Sequence, residues 1–281
     1  MTPLAVCLVL CAVITAATWI LSVVTREYSW VDRIWSIAPV AYVWVFAVAS
    51  GYDARLVLMA VLVSAWGARL TFNFARKGGY RPGGEDYRWA VLRERMPRPA
   101  FAAFNLFFIS IYQNALILLF CLPALTVFDS ARPALGPWDL VVSIVFLAFL
   151  VGETVADEQQ WRFHEWKAAE RAAGRTPSPG FLQTGLFRVS RHPNFFFEQA
   201  QWWVFYAFAV VATGVWLHWS IAGAVLLTLL FMGSTVFTEW ISRSRYPDYD
   251  AYRARTSAIV PWFPRRGAEV TATTDRTAAS G

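Results

Sequence analysis

Gly185–Glu198, GLFRVSRHPNFFFE, sets two arginines, a histidine, an asparagine and a glutamate at the mouth of a long apolar segment. Pro193 suits the first turn of a helix, where its missing N–H would be unpaired in any case. Arg188, Ser190, Arg191 and His192 stand just before it, where free helix N–H groups and the positive dipole end favour an anion. Asn194 and Glu198 follow on the helix itself. Glu198 is carried into a lipid-facing run, where an unpaired carboxylate is costly and usually functional. This layout suits capture of a phosphate-bearing ligand at a membrane surface, with its other end reaching inward. The plainer alternative is a basic interfacial loop with one snorkelling Glu.

Other polar residues stand out against the apolar background. Glu153 and Asp157 are four apart and share one helix face, so near lipid both need partners. Arginines of the polar loops or the hydroxyls of a ribose would serve. Arg69, Thr71 and Asn73 form a polar row at the end of an apolar run, suited to snorkelling or to a ligand head group. Trp66 lies one turn before Arg69. Ser110, Tyr112, Gln113 and Asn114 interrupt another apolar run. Helix–helix hydrogen bonding accounts for them, and the Tyr112 phenol is also a candidate proton donor to a developing oxyanion. Within SWVDRIWS, Asp32 is either paired with Arg33 or a pocket acid beside Trp35. Tyr246, Tyr249, Tyr252, Arg253 and Arg255 offer ring faces and cations to an adenine and phosphates. A segment lying on anionic lipid would carry the same residues.

The elements that must position these residues are membrane helices. Hydrophobic residues make up 57% of the chain and charged residues 16%, far from a soluble domain. A transmembrane helix needs roughly 20 mostly apolar residues. Windows at Leu4–Val24, Ile34–Ser50, Leu56–Ala75, Phe101–Phe128, Trp138–Ala156, Phe195–Trp216 and His218–Trp240 meet or approach that length. The expected fold is an all-α polytopic membrane bundle of about seven helices. The first window lacks the basic flank of a signal peptide. Arginine and lysine crowd the loops after the third and fifth windows and the C-terminal tail. Little more than Arg55 and Arg132 lies on the other side. This places the N-terminus outside and the C-terminus in the cytoplasm.

That asymmetry accounts for the net charge of +6 without nucleic acid. Residues 1–266 form a single membrane domain in this reading, and 267–281 a disordered tail. Asp157–Ala173 continues the fifth helix outward, and Gly174–Gly185 is turn chemistry. Residues 77–99 begin Gly/Pro-rich and become helical around Trp89–Arg95. Cys7, Cys11 and Cys121 read as small hydrophobes, and the three histidines have no zinc spacing, so no metal is expected.

Together, ETVADEQQWRF, GLFRVSRHPNFFFE and YPDYDAYRARTSAIVPWFP resemble the steroid 5α-reductase superfamily, most closely its bacterial, largely uncharacterised branch. SWVDRIW and WGARL…GGEDYRW resemble that branch more loosely. The resemblance implies NADPH held between the C-terminal helices and the cytoplasmic loops. Substrate would enter through the N-terminal helices, in a multi-pass protein of the bacterial inner membrane. Asp157, Asn194 and Glu198 match the cofactor-contact pattern. Glu153, Arg188, Ser190, Arg191, His192, Tyr246, Tyr252 and Arg255 complete the expected cofactor set. Trp35, Trp66 and Arg69 are expected at the substrate, a steroid-like or other lipid.

The implied reaction is hydride transfer to an activated C=C bond, followed by protonation. The steroid enzymes polarise the substrate with a second-helix Glu and a third-helix Tyr. Here the second window has no Glu, and Trp66 stands near the Tyr position. Tyr112 or Asp32 is left as catalytic acid, or the substrate is not a 3-keto steroid. The competing readings are a membrane methyltransferase of the isoprenylcysteine carboxyl type, using S-adenosylmethionine, and a non-enzymatic lipid-binding protein.

Overall fold

The chain caps its first helix with Thr2, whose hydroxyl accepts the Ala5 N–H at 3.2 Å, and starts it with Pro3. The computed structural model describes residues 1–131 and 134–265, and every long element there is helical. Arg132, Arg266, Arg276 and the expected disordered tail lie outside the described residues. In order the helices are α1 Pro3–Thr25, α2 Trp30–Ile34, α3 Ala38–Ala49, α4 Ala54–Arg76, α5 Tyr87–Arg95 and α6 Arg98–Phe104. There follow α7 Gln113–Cys121, α8 Pro123–Asp129, α9 Pro137–Ala172, α10 Pro193–Thr213, α11 Ala222–Arg245 and α12 Tyr249–Arg255. A π-helical stretch, Asn105–Tyr112, joins α6 to α7 without a break.

The expected all-α polytopic bundle is present. Among the described residues, six segments are long and apolar enough to cross a membrane: Pro3–Thr25, Trp30–Ala49, Ala54–Arg76, Arg98–Cys121, Pro137–Ala172 and Trp219–Arg245. The remaining expected span, α10, has 21 residues, about 31 Å at 1.5 Å each. It is less apolar because Glu198, Gln199 and Gln201 lie along it, all buried among neighbouring helices. The second span begins four residues earlier than expected and turns at Trp35–Ile37, ahead of Pro39, which cannot supply the next helical N–H. The fourth ends at Cys121, because Pro123 starts a separate helix. Helix α9 runs 36 residues and carries Asp157–Ala172 out of the apolar zone, as the charge pattern predicts.

The core is aromatic. Trp66, Trp202, Phe120, Phe205 and Phe208 are fully buried where α4, α7 and α10 meet, and α10 lies along α9. Where α3 hands over to α4, Arg55 is no loose loop cation. Asp53 caps α4, and the Arg55 guanidinium donates to both Asp139 oxygens at 2.6 and 2.8 Å. Asp139 also accepts the Gly136 N–H at 2.8 Å, which ties the start of α9 to the start of α4. At the other end the segment after α4 folds onto α2. Arg33 donates to Glu27 at 2.6 Å and to the Gly79 carbonyl at 3.0 Å.

Arg55 and Asp139 are 3% and 2% exposed, so loss of one charge strands the other. Asp139→Asn is expected to cost about 3 kcal/mol or more. The Arg55→Met/Asp139→Leu double variant should recover much of that loss. Thermal unfolding of wild type and the two variants in detergent measures both, and wild-type stability in Asp139→Asn would refute the assignment.

Candidate functional site

Helices α4, α9 and α10 each turn one polar stripe toward the other two. On α4 the stripe is Trp66, Arg69 and Asn73, at helical spacings of three and four. On α9 it is Glu153 and Asp157, and on α10 it is Asn194, Glu198 and Gln201. Gly152 lets α9 and α10 close up, since a Cβ there would meet the Phe197 ring at 2.5 Å.

The stripes converge on one guanidinium. Arg69 donates to Asp157 at 2.9 Å and pairs with Glu153, and the three side chains are only 10%, 6% and 5% exposed. Gln201 donates its amide to the other Glu153 oxygen at 2.5 Å. Glu198 accepts the indole N–H of Trp66 at 2.9 Å and that of Trp202 at 3.3 Å, and the two indoles meet edge to face at 4.9 Å. The Glu153 and Glu198 carboxyls face each other, which two buried carboxyl groups can do only by sharing a proton. Lys77, at the mouth of the cluster, lies 3.8 Å from Asp157. With that proton shared, the two remaining negative charges match the Arg69 guanidinium and the Lys77 ammonium. Two buried groups of the cluster are left without a hydrogen-bond partner: the acceptor Gln201 Oε1 and the donor Arg69 Nε.

At the N-terminal end of α10, the loop ahead of it meets the tail. Arg191 and His192 donate backbone N–H groups to the Ser257 and Ala258 carbonyls at 2.8 and 3.1 Å, and Ser190 Oγ donates to Ile259 at 2.6 Å. Glu239, the lone acid of α11, holds Arg191 at 2.6 Å and Arg253 at 2.9 Å, with His192 Nε2 at 3.4 Å. Tyr252 donates to the Phe187 carbonyl at 2.5 Å. Burial lifts the Tyr249 phenol to about 12 and raises Tyr252 as well, so both stay protonated donors. The clamp leaves a cavity of about 320 Å³ lined by Arg191, Arg253, Arg255, Arg265, Trp262 and Phe263. Arg191, in its wall, stands two residues before α10, and Glu198, in the carboxyl cluster, lies in the second turn of that helix.

The structure thus joins Trp66, Arg69, Glu153, Asp157 and Glu198 in one cluster, and Ser190, Arg191, His192, Tyr252 and Arg255 in a second group. Asn194 stands between them in the first turn of α10. Arg188 is exposed on the 3-10 turn Gly185–Arg188, and Tyr246 accepts from Lys167 at 3.1 Å, away from both groups.

Several expectations are corrected. Arg69 neither snorkels nor stands free, because it is the shared partner of Glu153 and Asp157. Asp32 is not paired with Arg33: it accepts the Trp89 indole N–H at 2.8 Å, while Arg33 turns to Glu27. Trp35 packs on Phe120, ring centroids 6.0 Å apart. Tyr112 stacks on Phe108 at the end of the π-helical stretch, and no described contact links it to the carboxylates. Sequence reasoning overlooked Glu239, Gln201 and Trp202. A single acid in an otherwise apolar last helix was the available signal for Glu239.

Residues 18–256 match the family described as "Protein of unknown function (DUF1295)". The chain is 37% identical over 274 residues to the uncharacterized protein C594.04c of Schizosaccharomyces pombe, covering 92% of this chain and 80% of that protein. No solved structure matches it.

Glu239→Gln should release Arg191 and Arg253 and loosen the tail while leaving the bundle intact. Limited trypsin digestion of detergent-solubilised protein should then cut after Arg253 or Arg255 several-fold faster than in wild type. Equal cleavage rates would show that Glu239 does not hold the tail.

Proposed function

The chain belongs to the DUF1295 family of unknown function, and on that footing we propose that it is a membrane-embedded, NADPH-dependent reductase. It would act on an activated C=C bond of a steroid-like or other lipid substrate, as enzymes of the steroid 5α-reductase type do, in a membrane facing the cytoplasm such as a bacterial inner membrane. One observation carries this reading: Arg191, in the wall of a basic, aromatic-lined cavity, and Glu198, in a buried carboxyl cluster, are joined by the first turns of α10. The residues fit the cofactor. Gln201 Oε1 and Arg69 Nε, an acceptor and a donor without partners, match the groups of a carboxamide. Arg255 and Arg265 match phosphates, and Trp262 offers a ring face.

When bound, NADPH supplies the hydride. The chain's part is to hold and orient. Arg255 and Arg265 would grip the phosphates, and Asn194, Asp157 and Glu198 the ribose and nicotinamide end. Trp66 and Trp202 fix the Glu198 carboxylate, so the Trp66 N–H is already engaged and polarises no substrate. Tyr112 is the better candidate proton donor of the two expected acids. Its hydroxyl has no hydrogen-bond partner among the described residues, whereas Asp32 is engaged by Trp89. One feature suits the methyltransferase reading instead: the carboxylates gathered around Arg69 could face a sulfonium cation.

Purified full-length protein in detergent decides between them. NADPH should raise the melting temperature and quench tryptophan fluorescence, and Asn194→Ala and Glu198→Gln should each weaken it by about tenfold or more while remaining folded. Unchanged NADPH affinity in both variants would sink the site. Stabilisation by S-adenosylmethionine alone would establish the methyltransferase, and no response to either would point to a lipid-binding protein.

A further inference from the structure

Buried cations in this chain are matched with carboxylates: Arg33 with Glu27, Arg55 with Asp139, Arg69 with Glu153 and Asp157, and Arg191 with Glu239. Lys167 is the exception. It is 7% exposed, yet among the described residues no carboxylate reaches its ammonium. Two of its three N–H donors are used, one on the Gly180 carbonyl at 2.5 Å and one on the Tyr246 hydroxyl at 3.1 Å. The Phe163 and Tyr246 rings flank it at 5.5 and 5.3 Å. A buried charge is ordinarily paired, because desolvation alone costs several kcal/mol.

The unmatched ammonium faces a cavity of about 280 Å³. Arg171, one turn further along α9, lines it together with Arg175, Thr176, Pro177 and Tyr246. Glu170 neutralises Arg175 at 2.6 and 2.8 Å, which leaves Lys167 and Arg171 as uncompensated charges. The wall is moulded: Gly180 lies so close to Tyr246 that a Cβ would meet the ring at 2.5 Å. This cavity shares no lining residue with the one at Arg191–Arg265.

We infer that the Lys167 cavity is a second anion site, separate from the proposed cofactor site, that takes the phosphate group of a small ester. Two positive charges, a hydroxyl from Thr176 and one from Tyr246 suit a dianionic, oxygen-rich group. The volume equals about nine waters at ~30 Å³ each, room for a phosphate and the first atoms of its ester. Depth favours a soluble ester over a lipid. Lys167 is 30 residues beyond Pro137, about 45 Å along α9. The hydrocarbon layer spans about 30 Å and the whole bilayer about 40–45 Å. With the exposed Trp138 at the outer interface, Lys167 stands beyond the inner head groups.

Inorganic phosphate is the probe, added to full-length protein in detergent at constant ionic strength made up with chloride. Phosphate should raise the melting temperature saturably. Lys167→Met should weaken the apparent affinity by about tenfold or more, with NADPH affinity unchanged. Arg171→Ala, on the exposed rim, guards against a folding defect in Lys167→Met and should weaken phosphate several-fold. Nanodiscs of phosphatidylcholine with and without phosphatidic acid test the lipid source, and stabilisation by phosphatidic acid without any by phosphate would overturn the soluble ester. An unchanged phosphate response in both variants, or no saturable response, would overturn the site. Parallel loss of NADPH affinity in Lys167→Met would merge the cavity with the cofactor site and remove its independence. Failure of NADPH to bind wild type would leave the phosphate result standing, so the two proposals fail separately.

Discussion

The rest of the structure depends on how three carboxyl groups and one guanidinium can be buried together inside an apolar bundle. Desolvating each ion costs several kcal/mol, and only close mutual pairing offsets it. Arg69 meets this constraint by reaching Glu153 and Asp157 at once, with Gln201 and two indole N–H groups taking up the remaining carboxylate oxygens. The constraint fixes rotation as well as contact. Helices α4, α9 and α10 must each present one face to the others, and the aromatic core around Trp66 and Trp202 packs within that arrangement.

The same requirement explains the composition of α10. A helix of 21 residues that carries an asparagine, a glutamate and two glutamines is poor lipid-facing material, yet it sits between α8, α9 and α11. Its polar side chains bond inward, to neighbouring helices or to its own preceding turn. Its N-terminus is closed by the tail, because Glu239 neutralises both Arg191 and Arg253 and brings two distant segments side by side. Arg191, read in sequence as an anion ligand, is thus spent largely on folding. The arginines that remain for an anion are Arg255 and Arg265.

Helix class and the continuation of α9 beyond its apolar run were legible because each rests on local composition or a spacing of three to four residues. Glu153 and Asp157 were assigned to one face for that reason, and Pro193 to a first turn. The pairings were not legible. Arg69 and Asp157 are 88 positions apart and Arg191 and Glu239 are 48 apart, and no periodicity within one helix says which acid on another it meets. Asp32 illustrates the limit. Its neighbour Arg33 was the obvious partner, but adjacent helical residues point in different directions, and Trp89 reached it instead.

The charge of the cluster bears on which proposed reaction it serves. Catalysis requires interactions that grow stronger from ground state to transition state. A methyl donor is cationic before transfer and neutral after it, so a neighbouring carboxylate would stabilise the ground state most and lose its hold as the methyl group departs. A nicotinamide hydride donor is neutral before transfer and cationic after it, so the same carboxylate would gain attraction as the hydride leaves. In a water-poor interior that gain is larger than in solvent. Carboxylates that suit a sulfonium at rest therefore favour hydride transfer once the direction of charge development is considered.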